Sequence, residues 1–113
     1  MMENKIVEAL KELCIPMGNS GFRYIKTAVT AVVEDEEILG NMTRAGGIYD
    51  TVAKKHGTTI ARAERAIRHG AEISAMNAES AVQEKYFGKV NGKVRNADFI
   101  AGIAFAVKMQ MED

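Results

Sequence analysis

The residues of this chain best equipped for chemistry crowd into one stretch, Val52–His69, which reads VAKKHGTTIARAERAIRH. Lys54, Lys55, Arg62, Arg65 and Arg68 stand there against a single acid, Glu64, although the fifteen basic and fifteen acidic residues of the whole chain cancel. The chemistry open to such a set is recognition rather than bond making. An arginine's planar fork can bond O6 and N7 of guanine together, and a carboxylate can accept from the N4 amine of cytosine. Glu64, Arg65 and Arg68 would suit a G·C-containing core. A neutral chain with one basic helix fits a site-specific binder better than a general DNA coater.

Such side chains need a helix to present them and a second helix to hold that one in place. Ala53 and Gly57 have the spacing of a helix-turn-helix: the alanine lets the second helix approach, and the glycine takes a positive φ at the turn without steric cost. Thr58 or Thr59 is suited to cap the second helix, which is expected to run to about Ala75, with its reading part at about 59–73. At about 100° per residue, Ile60, Ala63, Ala66, Ile67, Gly70 and Ile73 fall on one half of that helix. Glu64, Arg65, Arg68, His69 and Glu72 fall on the other. The periodicity by itself equally describes a solvated face, and the local excess of positive charge is what favours a reading face.

The rest of the chain reads as further helices around this pair. Ile6, Leu10 and Leu13 predict a first helix from about Glu3 to Cys14, stopped by Pro16, with Cys14 on its apolar face and in the core. Phe22, Ile25, Val29, Val32 and Val33 mark a second helix, which meets four consecutive acids at Glu34–Glu37. That patch would repel a phosphate backbone and is expected to be solvated and turned away from DNA. A helix over Ala78–Tyr86 comes after the reading helix. Asn91-Gly92 then suits a type I′ turn, in a loop made basic by Lys89, Lys93 and Arg95. A last helix, capped by Asn96 or Asp98, is expected to bury Phe99, Ile100, Ile103, Val107 and Met111.

The 113 residues, 47% of them hydrophobic, suffice for one domain with a modest core. One cysteine gives neither an intramolecular disulfide nor a Cys-x-x-Cys metal set, which points to a reducing cytoplasm. No apolar run approaches the roughly 20 residues of a membrane span, and no secretory signal opens the chain. Neither metal nor cofactor is expected: His56 and His69 lie on different helices without a cysteine or carboxylate cluster beside them. Ser20, Ser74 and Ser80 sit in no nucleophile motif, and Gly18 to Gly21 and Gly46-Gly47 form no phosphate loop, so no enzymatic activity is expected. The seven methionines read as core filler.

The block AKKHGTTIARAERAIRH resembles the recognition helix of one family, the C-terminal effector domain of the sporulation master regulator, stage zero sporulation protein A. Ile15-Pro16, Gly21-Phe22, Tyr24, Glu37-Ile38-Leu39-Gly40, Phe87-Gly88, and Asn96 with Phe99-Ile100-Ala101 match in order along nearly the whole chain. The resemblance implies an all-α fold, a compact bundle of about six helices containing the helix-turn-helix, that binds double-stranded promoter DNA at short boxes as tandem copies and regulates transcription. It implies that Glu64, Arg65 and Arg68 reach base edges in the major groove. Lys54, Lys55, Thr59, Arg62, His69, Lys89, Lys93 and Arg95 are then expected on phosphates, fixing register without specifying sequence.

The resemblance also sets three differences. The family's regulator begins with a phospho-accepting receiver domain, for which 113 residues leave no room. The chain is therefore expected to be a single effector domain, 1–113, either an excised fragment or a stand-alone protein. The family's contact with RNA polymerase or its sigma factor is matched only in length, by Met76-Asn77-Ala78-Glu79 and the residues after Glu79. Ala61 replaces a serine, and the basic loop is shorter by a few residues. A second function stays open beside the first: a protein-interaction module that modulates a full-length regulator without binding DNA specifically. The expected location is the cytoplasm, on the nucleoid when DNA is bound.

Overall fold

The helix over Ser20–Glu34, here α2, carries the longest series of apolar residues at helical spacing in the first half of the chain, and four of the other helices pack on it. The computed structural model describes residues 2–90 and 93–112. Among these residues the order is α1 (Met2–Glu12), α2 (Ser20–Glu34), a 3-10 turn (Glu36–Gly40), α3 (Ile48–His56), α4 (Ile60–Asn77), α5 (Ser80–Phe87) and α6 (Asn96–Glu112), with no strand. The fold is all-helical with six α-helices among the described residues, as expected. Asn91-Gly92, the expected hairpin turn, lies outside them.

Helix α2 packs against α1, α3, α4 and α6, and its Ile25, Ala28, Val29 and Val32 are fully buried at the centre. Asn19 caps it by accepting from the Gly21 amide at 2.8 Å. Its other end stops at Asp35, whose extended backbone breaks the helix and whose carboxylate caps the 3-10 turn through the Glu37 amide. The four acids Glu34–Glu37 are exposed, and Glu36 pairs with Lys108 near the far end of α6. That pair lies about 18 Å along the α6 axis from Asn96, which bonds the Glu64 carbonyl of α4.

Helix α1 ends two residues sooner than expected, and this corrects the placement of Cys14. The Ile15 amide bonds back to the Leu10 carbonyl and the Cys14 amide to the Lys11 carbonyl, a Schellman closure that puts Cys14 at φ 63°. Leu10 and Ile15 are buried on either side of it, while Cys14 is turned outward and exposed. A second correction concerns Met111. The buried row Phe99, Ile103 and Val107 ends one turn before Met111, which is 47% exposed. Helix α5 starts at Ser80 rather than Ala78, because Ala78 still closes α4 through the Ser74 carbonyl. Its Tyr86 hydroxyl donates to Glu12 Oε1 at 2.6 Å and ties α5 to the end of α1.

Helices α2 and α3 meet at His56. Its Nε2 is paired with Thr27 Oγ1 at 2.7 Å, and its ring lies 4.9 Å from that of Tyr24. Burial lowers the affinity of this imidazole for a proton, and the nearby charges of Lys55, Arg23 and Lys26 act in the same direction. A histidine held below its unfolded value of about 6.5 contributes stability that is complete above that pH and is lost as pH falls toward its folded value. The depressed carboxyls of Glu3, Glu12, Asp50 and Glu72 contribute the same kind of loss only below about pH 4.5. The melting temperature should therefore drop between pH 7 and 5, and in His56→Gln this slope should flatten. An unchanged slope in the variant would assign the drop to another group.

Candidate nucleic-acid interface

The connection between α3 and α4 is three residues long, Gly57-Thr58-Thr59, and each has an identifiable task. Gly57 takes the left-handed conformation, φ 65°, that a side chain would resist, and closes α3 through the Ala53 carbonyl. The Thr58 amide bonds the same carbonyl at 2.9 Å. Thr59 is the N-cap of α4, its hydroxyl oxygen accepting from the Arg62 amide at 3.1 Å. Ala53 is buried where the helices approach, as its spacing from Gly57 predicts.

Helix α4 divides as the wheel predicts. Ala63, Ile67 and Gly70 of the expected half are buried, joined by Ala71 and Ser74, where α4 packs on α2, α3 and α6; Ile60, Ala66 and Ile73 are half-buried, as are Glu64 and Glu72 opposite, while Arg62, Arg65, Arg68 and His69 are exposed. The expected base readers thus share one helix, but in different states. Glu64 Oε2 and Arg68 Nη1 form a pair at 3.3 Å across one helical turn. Arg65 is exposed and enters no ion pair among the described residues.

The expected phosphate contacts are spread over three places around α4. Lys54 and Lys55 are exposed in the last turn of α3, with Lys54 paired to Asp50 at 3.1 Å. Thr59 and Arg62 stand at the start of α4, and His69 is further along it. Lys89, Lys93 and Arg95 belong to the connection between α5 and α6. Lys93 reaches Glu72 of α4 at 2.7 Å and Arg95 reaches Asp98 of α6 at 3.2 Å. The Glu72 carboxyl is held below the usual carboxylate range by the Lys93 hydrogen bond and charge. Through the Lys93 pair the connection is tied to the exposed side of α4, and a cleft of about 540 Å³ lined by Tyr49, Glu64, Arg68, Lys93, Arg95 and Asn96 lies between them.

Sequence reasoning missed two residues here. Asn96 Nδ2 lies 3.0 Å from the Tyr49 hydroxyl and 3.3 Å from the Glu64 carbonyl oxygen, joining the start of α6 to both helices of the turn unit. Tyr49 is 5% exposed. In the sequence Asn96 signals only a helix cap and a family match, and a contact to residues so distant along the chain leaves no local signature.

Two packed helices joined by a left-handed glycine, the second offering arginines to solvent, form the architecture of an all-helical DNA-binding domain. The family model for the C-terminal domain of the sporulation initiation factor Spo0A matches residues 6–107, nearly the whole chain, and the chain belongs to that family. It is a DNA-binding transcription-regulator domain of sporulation, a family that is not enzymatic. Among the described residues no helix is long and apolar enough to cross a membrane.

Proposed function

We propose that this chain is a sequence-specific reader of double-stranded promoter DNA, with α4 in the major groove and Glu64, Arg65 and Arg68 on base edges. The observation that carries the reading is the division of α4, one side buried against the core and the other carrying Arg65 and Arg68 exposed with a half-buried Glu64 beside them. Lys54, Lys55, Thr59, Arg62 and His69, with Lys89, Lys93 and Arg95 in the adjoining loop, would hold phosphates on either side. Of these, Lys54, Lys93 and Arg95 must exchange an intramolecular carboxylate for a phosphate. Exposed pairs of this kind contribute about 0–1 kcal/mol, so the exchange costs little. The domain would act in the cytoplasm as one unit, bind as tandem copies, and meet RNA polymerase or its sigma factor beyond the end of α4, where Met76 is 80% exposed.

Fluorescence anisotropy with a duplex carrying the family's box and a scrambled duplex, titrated over salt, tests this reading. The box should bind more tightly at every salt concentration, with both affinities falling as salt rises. Equal weak binding with equal salt dependence would overturn specific reading and leave the interaction module. Lys55→Ala should weaken both duplexes nearly alike and lower the salt slope by about one, as a phosphate contact does.

A further inference from the structure

The Glu64 carboxylate is held from outside its own helix. Asn96 Nδ2, at the first residue of α6, lies 3.4 Å from Glu64 Oε2 as well as 3.3 Å from the Glu64 carbonyl oxygen. Arg68 Nη1 meets the same carboxylate oxygen at 3.3 Å. Both contacts thus gather on Oε2, and Oε1 accepts no hydrogen bond among the described residues, on a side chain that is 33% exposed. The amide is itself anchored by the Tyr49 hydroxyl at 3.0 Å. Burial pushes that hydroxyl above its ordinary range, and it accepts from the amide as a neutral group.

An exposed glutamate–arginine pair one turn apart is weak and satisfied by several rotamers, so alone it would not fix a carboxylate for reading. It would also compete with reading, since an arginine folded onto its neighbour is withdrawn from a base. A rigid amide from another element changes both conditions. We propose that Asn96 is a positioning residue for base readout: it holds Glu64 Oε2 so that Oε1 is presented outward as an acceptor, and it keeps Glu64 partnered when Arg68 leaves for its own base. The inference rests on the reading of α4 as the recognition helix. It makes sequence discrimination by α4 depend on the docking of α6.

The test uses Asn96→Ala and Asn96→Asp, each alone and combined with Glu64→Ala, titrated against box and scrambled duplexes beside thermal melts. Asn96→Ala should lose about tenfold in affinity for the box and less than about twofold for the scrambled duplex. In the Glu64→Ala background the same change should cost nothing further, because the group it positions is gone. Asn96→Asp keeps the shape but sets a second carboxylate against Glu64, and should lose at least as much selectivity as the alanine. Equal losses on both duplexes, or losses that multiply with that of Glu64→Ala, overturn the proposal.

A second measurement needs neither DNA nor a change at Asn96. The Asn96 side-chain amide resonances, tracked by heteronuclear NMR, should shift in Glu64→Gln, and unchanged resonances overturn the positioning role even if α4 reads DNA. Shifted resonances together with a Glu64→Ala protein that binds both duplexes like the wild type would instead bring down Glu64 as a base contact, and the positioning role with it.

Discussion

Arg65→Ala is expected to weaken binding to the family's box by about 1–3 kcal/mol, tenfold or more over most of that range, and to leave the scrambled duplex nearly untouched. The expectation is clean because Arg65 is exposed and enters no ion pair among the described residues, so its truncation costs the free protein little. Whatever is lost must be lost in the complex. Arg68→Ala should cost a similar amount but in a different pattern. Its guanidinium also pairs with Glu64 at 3.3 Å, so its removal alters a neighbour that is itself proposed to read a base. Box variants changed at single base pairs separate the two: Arg65→Ala should relax one position, Arg68→Ala its own position and that of Glu64. A loss shared equally by both duplexes after Arg65→Ala would move that residue into the phosphate class.

The parts of this architecture that the sequence makes legible are those set by local rules. Thr59 caps α4 and Gly57 turns out of α3 because a hydroxyl oxygen and a missing Cβ meet needs that arise within four residues. The buried and exposed halves of α4 come from its period. Cys14 fails the same method because its helix ends by a left-handed closure that usually takes glycine, and cysteine gives no signal of it. Met111 fails because periodicity continues past the point where the core stops. The Lys93–Glu72 pair and the Asn96 junction join residues that only the folded chain brings together. The candidate readers are thus legible in the sequence, while the contacts that hold one of them in place are not.

Gly21 belongs to both categories, and its replacement by alanine should destabilise the protein through the contact that seats α4. It matches the family's pattern in sequence, but the reason for a glycine there appears only in the packing of α2 on α4. A Cβ at Gly21 would lie 2.8 Å from the Ala66 carbonyl oxygen, a backbone atom that cannot withdraw without moving α4. Gly70, on the facing side of the same contact, gives the control. Its Cβ would also meet an atom at 2.8 Å, but that atom is the Ile25 Cδ1 methyl, the end of a side chain, which a small χ2 rotation can shift where a backbone oxygen is fixed. Alanine also gains about 1 kcal/mol of helix propensity at Gly70, inside α4, and less at Gly21, in the first turn of α2. For Gly70→Ala this gain offsets the crowding, and a small net effect is expected. For Gly21→Ala the overpacking should prevail, with a net loss of about 1–3 kcal/mol in urea or thermal unfolding. The displaced helix is the one that carries Glu64, Arg65 and Arg68, so under conditions where the variant stays folded its selectivity for the box should fall as well. Equal stability of the two alanine variants would mean that α4 can shift on α2 at little cost, and the placement of the reading face would then have to come from α3 and α6 alone.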